Sequence, residues 1–247
     1  MVTTLLKKIR SFQLRISKFK NFLFFAIIHK KLNLKWIAKK FLLIFKIIDI
    51  GDKVVPWIPI KAKIWLDKTL KADMILYEFG SGLSTLYFST KVKKVISIEH
   101  NKKWYNLMKN ELKSKAINNC EYFLEEPELI NAKNSRLAEI EYTSDLKDYQ
   151  GFHFRRYVEN IDRYPDNSFD VVFIDGRVRI DCILHSINKI KTGGFLILDN
   201  SDEKRYKLAQ KVLKSYKNFK IFDIGLLNPY SKYSKTSFWE MTIWKIN

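Results

Sequence analysis

Residues Tyr77–Thr85 read YEFGSGLST, and this stretch decides how the chain folds. It begins inside an apolar run, MILYEF (Met74–Phe79), whose composition reads as a buried strand. Gly80, Ser81 and Gly82 follow, and then STLYFSTKV, which reads as a helix. A strand, a Gly-x-Gly turn and a helix form the first half of a β-α-β unit. In an open parallel sheet, ligands bind beyond the carboxyl ends of the strands. Glycines there let the backbone turn sharply and approach a ligand with no Cβ in the way. The first N–H groups of the next helix are free donors, and Glu78 is placed to take the positive end of a ligand.

Outward from this unit the pattern repeats. KVISIE (Lys94–Glu99) is a second strand, and Asn101–Ala116 a helix whose Trp104, Leu107, Met108, Glu111 and Leu112 lie on one face and its edge. CEYFLE is a third strand. FDVVFID (Phe169–Asp175) and GFLILDN (Gly194–Asn200) are the fourth and fifth, separated by the helical VRIDCILHSINKI. DEKRYKLAQKVLKSY reads as a helix, FKIFDI as a sixth strand and SFWEMTIWKI as a seventh. Alternating strands and helices imply an α/β fold, a Rossmann-like, seven-stranded, mostly parallel sheet covered on both faces. The last strand has no helix before it and is expected to pair antiparallel at an edge. The polar insertion Glu126–Ser168 is long enough to expect a function for it.

The chain has 247 residues, 47% of them hydrophobic, enough for one large domain or one domain with an extension. Its charge is uneven: +14 of the net +19 falls in residues 1–71. There, Leu34, Ile37, Phe41, Ile44 and Ile48 share one helical face, and Lys31, Lys35, Lys39 and Lys46 another. The expectation is an N-terminal helical extension, residues 1–56, ahead of a domain at 57–247, with VVPWIP (Val54–Pro59) ending the helical pattern. Such a helix either contacts an anionic membrane peripherally, through residues 1–50, or packs on the domain with its lysines in water. FLFFAII (Phe22–Ile28) is too short to span a bilayer and is closed by His29, Lys30 and Lys31, and no Ala-x-Ala-like cleavage site follows it. Cys120 and Cys182, 62 residues apart, have no metal-site spacing and suit a reducing compartment. The expected location is cytoplasmic, with peripheral contact at the inner face of the membrane.

A second acid, Glu99, closes the second strand 17 residues after Gly82, where a carboxylate can accept both hydroxyls of a ribose. A dinucleotide fingerprint would put a third glycine at Thr85. EFGSGLST, VISIEHNKKWY, YPDNSFDVVFIDGR and GGFLILDN instead resemble, in order and spacing, consecutive motifs of class I S-adenosylmethionine-dependent methyltransferases of one bacterial branch, over roughly Trp57–Trp244. The resemblance implies S-adenosylmethionine as cofactor, with Glu78, Gly80, Ser81 and Gly82 at its methionine portion and Glu99 at its ribose. Ser84 takes the place of a third small residue, His100 the cofactor's edge, and Glu125 and Glu126 are candidates to contact the adenine.

Asp175 ends the fourth strand and Asp199-Asn200 the fifth, so three oxygen-bearing side chains reach one sheet edge. They suit a hard divalent cation such as Mg2+. This pattern resembles catechol and caffeoyl-CoA O-methyltransferases, which implies a metal that holds and acidifies the acceptor hydroxyl. The lysine those enzymes place three residues after the first Asp is Val178 here, flanked by Arg177 and Arg179. Asp175 and Arg177 are therefore the catalytic candidates. The alternative is that Asp199, Ser201 or Asp202 merely caps the next helix. His153, in GFHFRRY, belongs to an acceptor pocket or to a packed loop; His185, Cys182 and NPY (Asn228–Tyr230) read as structural. The resulting expectation is a methyltransferase with a small-molecule or glycan-like acceptor, modified at oxygen. Two competitors are an RNA-modifying methyltransferase, suggested by the +19 charge, and a non-catalytic membrane-surface or scaffold protein retaining the fold. Charge concentrated outside the catalytic domain opposes the first, and the intact EFGSG with Glu99 opposes the second.

Overall fold

The computed structural model describes residues 56–130, 142–144, 146–224 and 238–247. The expected basic extension, up to residue 55, with the membrane contact or packing expected of it, and the Asn228–Tyr230 stretch lie outside these residues. The helices are α1 (Ile60–Thr69), α2 (Leu83–Ser89), α3 (Lys102–Ser114), α4 (Arg155–Glu159), α5 (Arg179–Ser186) and α6 (Lys207–Val212). The strands are β1 (Ile75–Phe79), β2 (Lys94–Glu99), β3 (Cys120–Leu124), β4 (Glu128–Leu129), β5 (Phe152–His153), β6 (Phe169–Ile174), β7 (Ile190–Leu198), β8 (Lys217–Ile224) and β9 (Phe238–Lys245). Among the described residues, no helix is long and apolar enough to cross a membrane.

Seven strands form one sheet in the order β3-β2-β1-β6-β7-β9-β8. β3, β2, β1, β6 and β7 are mutually parallel, and β9 runs antiparallel to both its neighbours. This is the expected α/β sheet with an antiparallel last strand. One detail differs: β9 lies inside the sheet, not at its edge. Its residues explain the placement. Trp244 enters one core while Met241 and Ile243 enter the other, so the strand needs cover on both faces. β8, with Phe219 41% exposed, takes the edge.

Side-chain alternation sorts the sheet into two faces. Tyr77, Phe79, Ile96, Ile98, Val172 and Ile174 pack on one side, against Cys182 and Ile183 of α5. Leu76, Val95, Val171 and Phe173 pack on the other, against Ala62 and Leu66 of α1 and Tyr87 and Phe88 of α2. The polar insertion is also part of the first core: Phe154, Tyr157, Val158 and Ile161 are all buried there. Their spacing of 3, 1 and 3 is that of a helical face, hidden in the sequence by the arginines and acids between them.

The chain moves outward from β1 to β3, then returns to lay β6 beside β1. Ligands bind at such a reversal. The loops after β1 and β6 touch there through glycines. Gly80 has φ +91°, and a Cβ on it would lie 2.6 Å from the Cα of Gly176. The adjacent backbones are tied by Gly80 N–H to Ile98 C=O and Asp175 N–H to Phe79 C=O, both 2.9 Å. Gly80 is thus required by the neighbouring loop rather than by an approaching ligand. Gly80→Ala should therefore cost about 3 kcal/mol or more, combining backbone strain with overpacking. Gly151→Ala also falls at positive φ, but nothing lies within 4 Å of its added Cβ, so it should cost only about 1–2 kcal/mol. Urea denaturation of both variants checks this, and equal losses would refute the steric account.

Candidate functional site

A cleft of about 600 Å³ opens beyond the carboxyl ends of β1, β2, β6 and β7. One half is lined by Gly80, Ser81, Glu99, His100, Asn101 and Trp104. The other is lined by Asp175, Gly176, Arg177, Arg179, Asp199 and Asn200, and Trp57, Tyr149 and Trp239 complete the wall. The volume is ordinary for a small-molecule site.

Glu78 lies beneath this cleft, not in it. Its side chain is fully buried and faces the α2 side of the sheet. One oxygen accepts the Ser84 hydroxyl at 2.5 Å; the other accepts those of Thr85 at 2.5 Å and Ser97 at 2.6 Å. Burial pushes its carboxyl up to about 7, against the pull of these three bonds. The Thr85 hydroxyl in turn accepts the Gly82 N–H at 2.9 Å. Glu78 and Ser84 are therefore committed to shaping the turn, and with Gly82 they stand off the cleft lining, where the sequence had suggested ligand contact.

Glu99 does reach the cleft. Its Oε2 accepts the Ser81 N–H at 3.2 Å and the Ser81 hydroxyl at 2.9 Å. Its Oε1 accepts the N–H groups of His100 and Asn101, at 2.9 and 2.8 Å. Burial alone would raise this carboxyl; the contacts with His100, Asn101 and Ser81 outweigh it and hold it below its ordinary value. The β2 end thus presents an ionised acceptor. The Ser81 hydroxyl has a second partner, Tyr122, at 2.6 Å, so it can release Oε2 to a ligand diol. His100 contacts Glu99 through Nδ1 and the Tyr149 hydroxyl through Nε2, at 2.9 and 2.8 Å. The Trp104 indole N–H donates to Ser81 C=O at 2.7 Å. Glu125 and Glu126 do not line the cleft, and Glu126 pairs with Lys102 at 3.6 Å. Trp104, Tyr122 and Tyr149 were not foreseen as site residues; Trp104 had read only as part of a buried helix face.

The other half brings Asp175, Asp199 and Asn200 together as expected, but around a fixed cation. Arg179 is buried among them. Its Nη2 donates to the backbone and side-chain oxygens of Asp175, at 3.0 and 2.8 Å. Its Nη1 donates to Asp199 C=O at 2.5 Å and Asn200 Oδ1 at 3.3 Å, and its Nε to Gly176 C=O at 3.0 Å. Trp239 Nε1 donates to Asp199 Oδ1 at 2.7 Å. Of the side-chain oxygens a divalent ion would use, Asp175 Oδ1 and Asn200 Oδ1 accept from a guanidinium whose charge would repel that ion, and Asp199 Oδ1 accepts from Trp239. These contacts oppose the expected reading of Asp175, Asp199 and Asn200 as metal ligands. Among the described residues no group of three or more His, Cys, Asp or Glu is placed to hold a metal ion either. Nor does Asp199 cap a helix, since Trp239 takes its carboxyl. Arg179 reaches this position because Val178, just before α5, adopts a left-handed conformation (φ 43°, ψ 47°) that is unusual for a β-branched residue.

Both aspartate carboxyls are pushed upward, chiefly by burial. For Asp199 the charge of Asp175 adds to this, whereas Arg179 pulls Asp175 down. Asp175 keeps 31% of its side chain exposed, while Asp199 is 2% exposed. Water therefore favours charge on Asp175 more than on the enclosed Asp199. Arg179 holds Asp175 on the cleft wall.

No protein-family model and no curated protein matches the chain. Among solved structures it is similar to an O-methyltransferase from Bacillus cereus in complex with SAH (S-adenosylhomocysteine), at TM-score 0.51 and 12% identity over 75% of this chain and 78% of that one. It is also similar to an rRNA methylase from Streptococcus thermophilus, at TM-score 0.49 and 14% identity over 76% and 95%. A third is precorrin-6y C5,15-methyltransferase from Geobacter metallireducens, at 0.49 and 16% over 75% and 87%. At these identities the likeness is one of fold.

The Glu78 network carries a test in its pH dependence. Its folded-state value, about 7, lies above the ordinary 4.5. The stability this group contributes is complete below about pH 4.5 and is lost as pH rises through about 7. Relative to Glu78→Gln, which cannot ionise, the wild type should lose about 2–3 kcal/mol between pH 5 and pH 8. Urea denaturation of both proteins at the two pH values measures this, and a difference independent of pH would show that Glu78 is not held in this way.

Proposed function

We propose that the chain is an S-adenosylmethionine-dependent methyltransferase that modifies an oxygen of a small-molecule or glycan-like acceptor without a divalent metal. The observation that carries this reading is the division of the cleft. An ionised Glu99 with Gly80 and Ser81 lines one half; Asp175, fixed by Arg179, lines the other. The similarity of the fold to an O-methyltransferase that holds S-adenosylhomocysteine supports it.

In this reading Glu99 takes the ribose diol, with Ser81, His100 and Trp104 around it. When bound, S-adenosylmethionine supplies an electrophilic methyl group, which passes to the acceptor by in-line displacement. Asp175 accepts the proton that the acceptor hydroxyl loses, and its position is held by Arg179. The indoles of Trp57 and Trp239 exclude water from the acceptor side. Residues 57–247 are the catalytic domain of a cytoplasmic protein, and the basic extension 1–56 gives peripheral contact with an anionic membrane. The RNA-modifying alternative rests on a charge that lies mostly within residues 1–71.

S-adenosylhomocysteine should bind the full chain in the micromolar range by calorimetry, equally well in EDTA. Glu99→Ala should weaken that binding about tenfold or more. Asp175→Asn should leave it within about threefold while lowering methyl transfer from labelled donor into a small-molecule extract by about a hundredfold or more. Binding of NAD with none of S-adenosylhomocysteine would refute the assignment. Restoration of transfer by Mg2+ after EDTA had abolished it would refute the metal-free chemistry.

A further inference from the structure

Among the described residues, Arg177 is the charged side chain of the cleft left uncommitted. It lines the cleft two residues beyond Asp175, and its Nε is buried with no hydrogen-bond partner among those residues. Its guanidinium lies over the Tyr149 ring, 5.8 Å from the centroid, a contact that orients it without neutralising it. The acids on this wall already have partners: Asp175 in Arg179, and Asp199 in Trp239. Arg177 adds a guanidinium charge to this half of the cleft with no carboxylate bonded to it among the described residues. A buried donor that lacks a partner inside a cleft points to a ligand group. A guanidinium donor without a partner selects an anionic group and disfavours an ammonium-bearing acceptor.

The neighbouring wall defines what carries the group. Trp57 is 51% exposed and meets Trp239 edge to face, with centroids 6.0 Å apart and planes at 80°. The Trp239 N–H is spent on Asp199, so Trp239 offers the cleft ring surface alone. A ring with an apolar face suits these indoles, and an oxyanion beside it suits Arg177. The planar, five-donor guanidinium binds carboxylate and phosphate oxygens in pairs.

We infer that Arg177 reads an oxyanion, carboxylate or phosphate, on a ring-bearing acceptor, and so sets acceptor specificity. This rests on the methyltransferase reading, because it places the oxyanion next to the hydroxyl whose proton Asp175 takes. The competing role for Arg177 is to hold the carboxylate of the methyl donor itself.

The test uses the full chain saturated with S-adenosylhomocysteine, and the Nε–H resonance of Arg177, identified by its loss in Arg177→Lys. Inorganic phosphate and acetate are the probes. The resonance should shift and saturate with at least one of them: with phosphate alone if the group is phosphoryl, with acetate alone if it is a carboxylate. Arg177→Gln should leave the affinity for S-adenosylhomocysteine within about threefold. Two results would overturn the inference: no shift with either anion, or a loss of S-adenosylhomocysteine affinity of about tenfold or more in Arg177→Gln, which would assign Arg177 to the donor. Failure of the wild type to bind S-adenosylhomocysteine at all refutes the methyltransferase reading instead, and the anion titration then decides the role of Arg177 on its own.

Discussion

The cleft depends on a carboxylate that never meets solvent. Glu78 sits at full burial between β1, β2 and α2, where an unpaired charge would be expensive. Three hydroxyls, from Ser84, Thr85 and Ser97, make the position tolerable and turn it into a joint. Ser97 ties β2 to β1, Ser84 and Thr85 tie α2 to β1, and Thr85 passes the constraint to the Gly82 N–H. The turn so fixed presses Gly80 against Gly176, which sets the loop carrying Asp175 and Arg177. Both halves of the cleft are thereby registered to one buried group, although that group touches neither ligand position.

The sheet was legible because its strands are apolar on both faces and its helices are not. The seven sheet strands appear near their expected limits, and acids at strand ends mark the cleft, whereas the helix after β7 is shorter than DEKRYKLAQKVLKSY suggested and α1 was not expected. The inward direction of Glu78 was also contained in the sequence, through strand parity. In β1, Tyr77 and Phe79 enter one core while Leu76 enters the other, so Glu78 must share the Leu76 side, under α2. Opposite it in register lies Ser97. Glu99 has the same parity as Ser97 but is the last residue of its strand, where the face ends and the side chain is free to reach the cleft. Two acids in similar motifs thus do different work, for a reason that counting residues along a strand supplies and motif matching does not.

Of the features that escaped the sequence, two have a clear physical reason. The face made by Phe154, Tyr157, Val158 and Ile161 was masked by Arg155, Arg156 and Glu159, so a packed wall of the core read as a polar excursion. The role of Arg179 was not accessible from spacing at all. It depends on the left-handed Val178, which turns the start of α5 so that the guanidinium comes back beneath Asp175. A β-branched residue gives no local hint of that conformation.

The guanidinium also decides what chemistry the acidic half can perform. A divalent cation in such a site acts by keeping a coordination position for the acceptor oxygen and acidifying its hydroxyl. Arg179 keeps nothing open, since all five of its N–H groups point at protein oxygens. It can fix and neutralise, but it cannot bind the reacting atom. In the proposed reaction, activation of the acceptor therefore falls to a base. Unequal burial separates the two candidates: Asp199 is enclosed and bonded to Trp239, while Asp175 keeps its exposure. A fixed monovalent cation stands where the expected divalent one would, and under that proposal the acceptor's proton passes to a protein carboxylate.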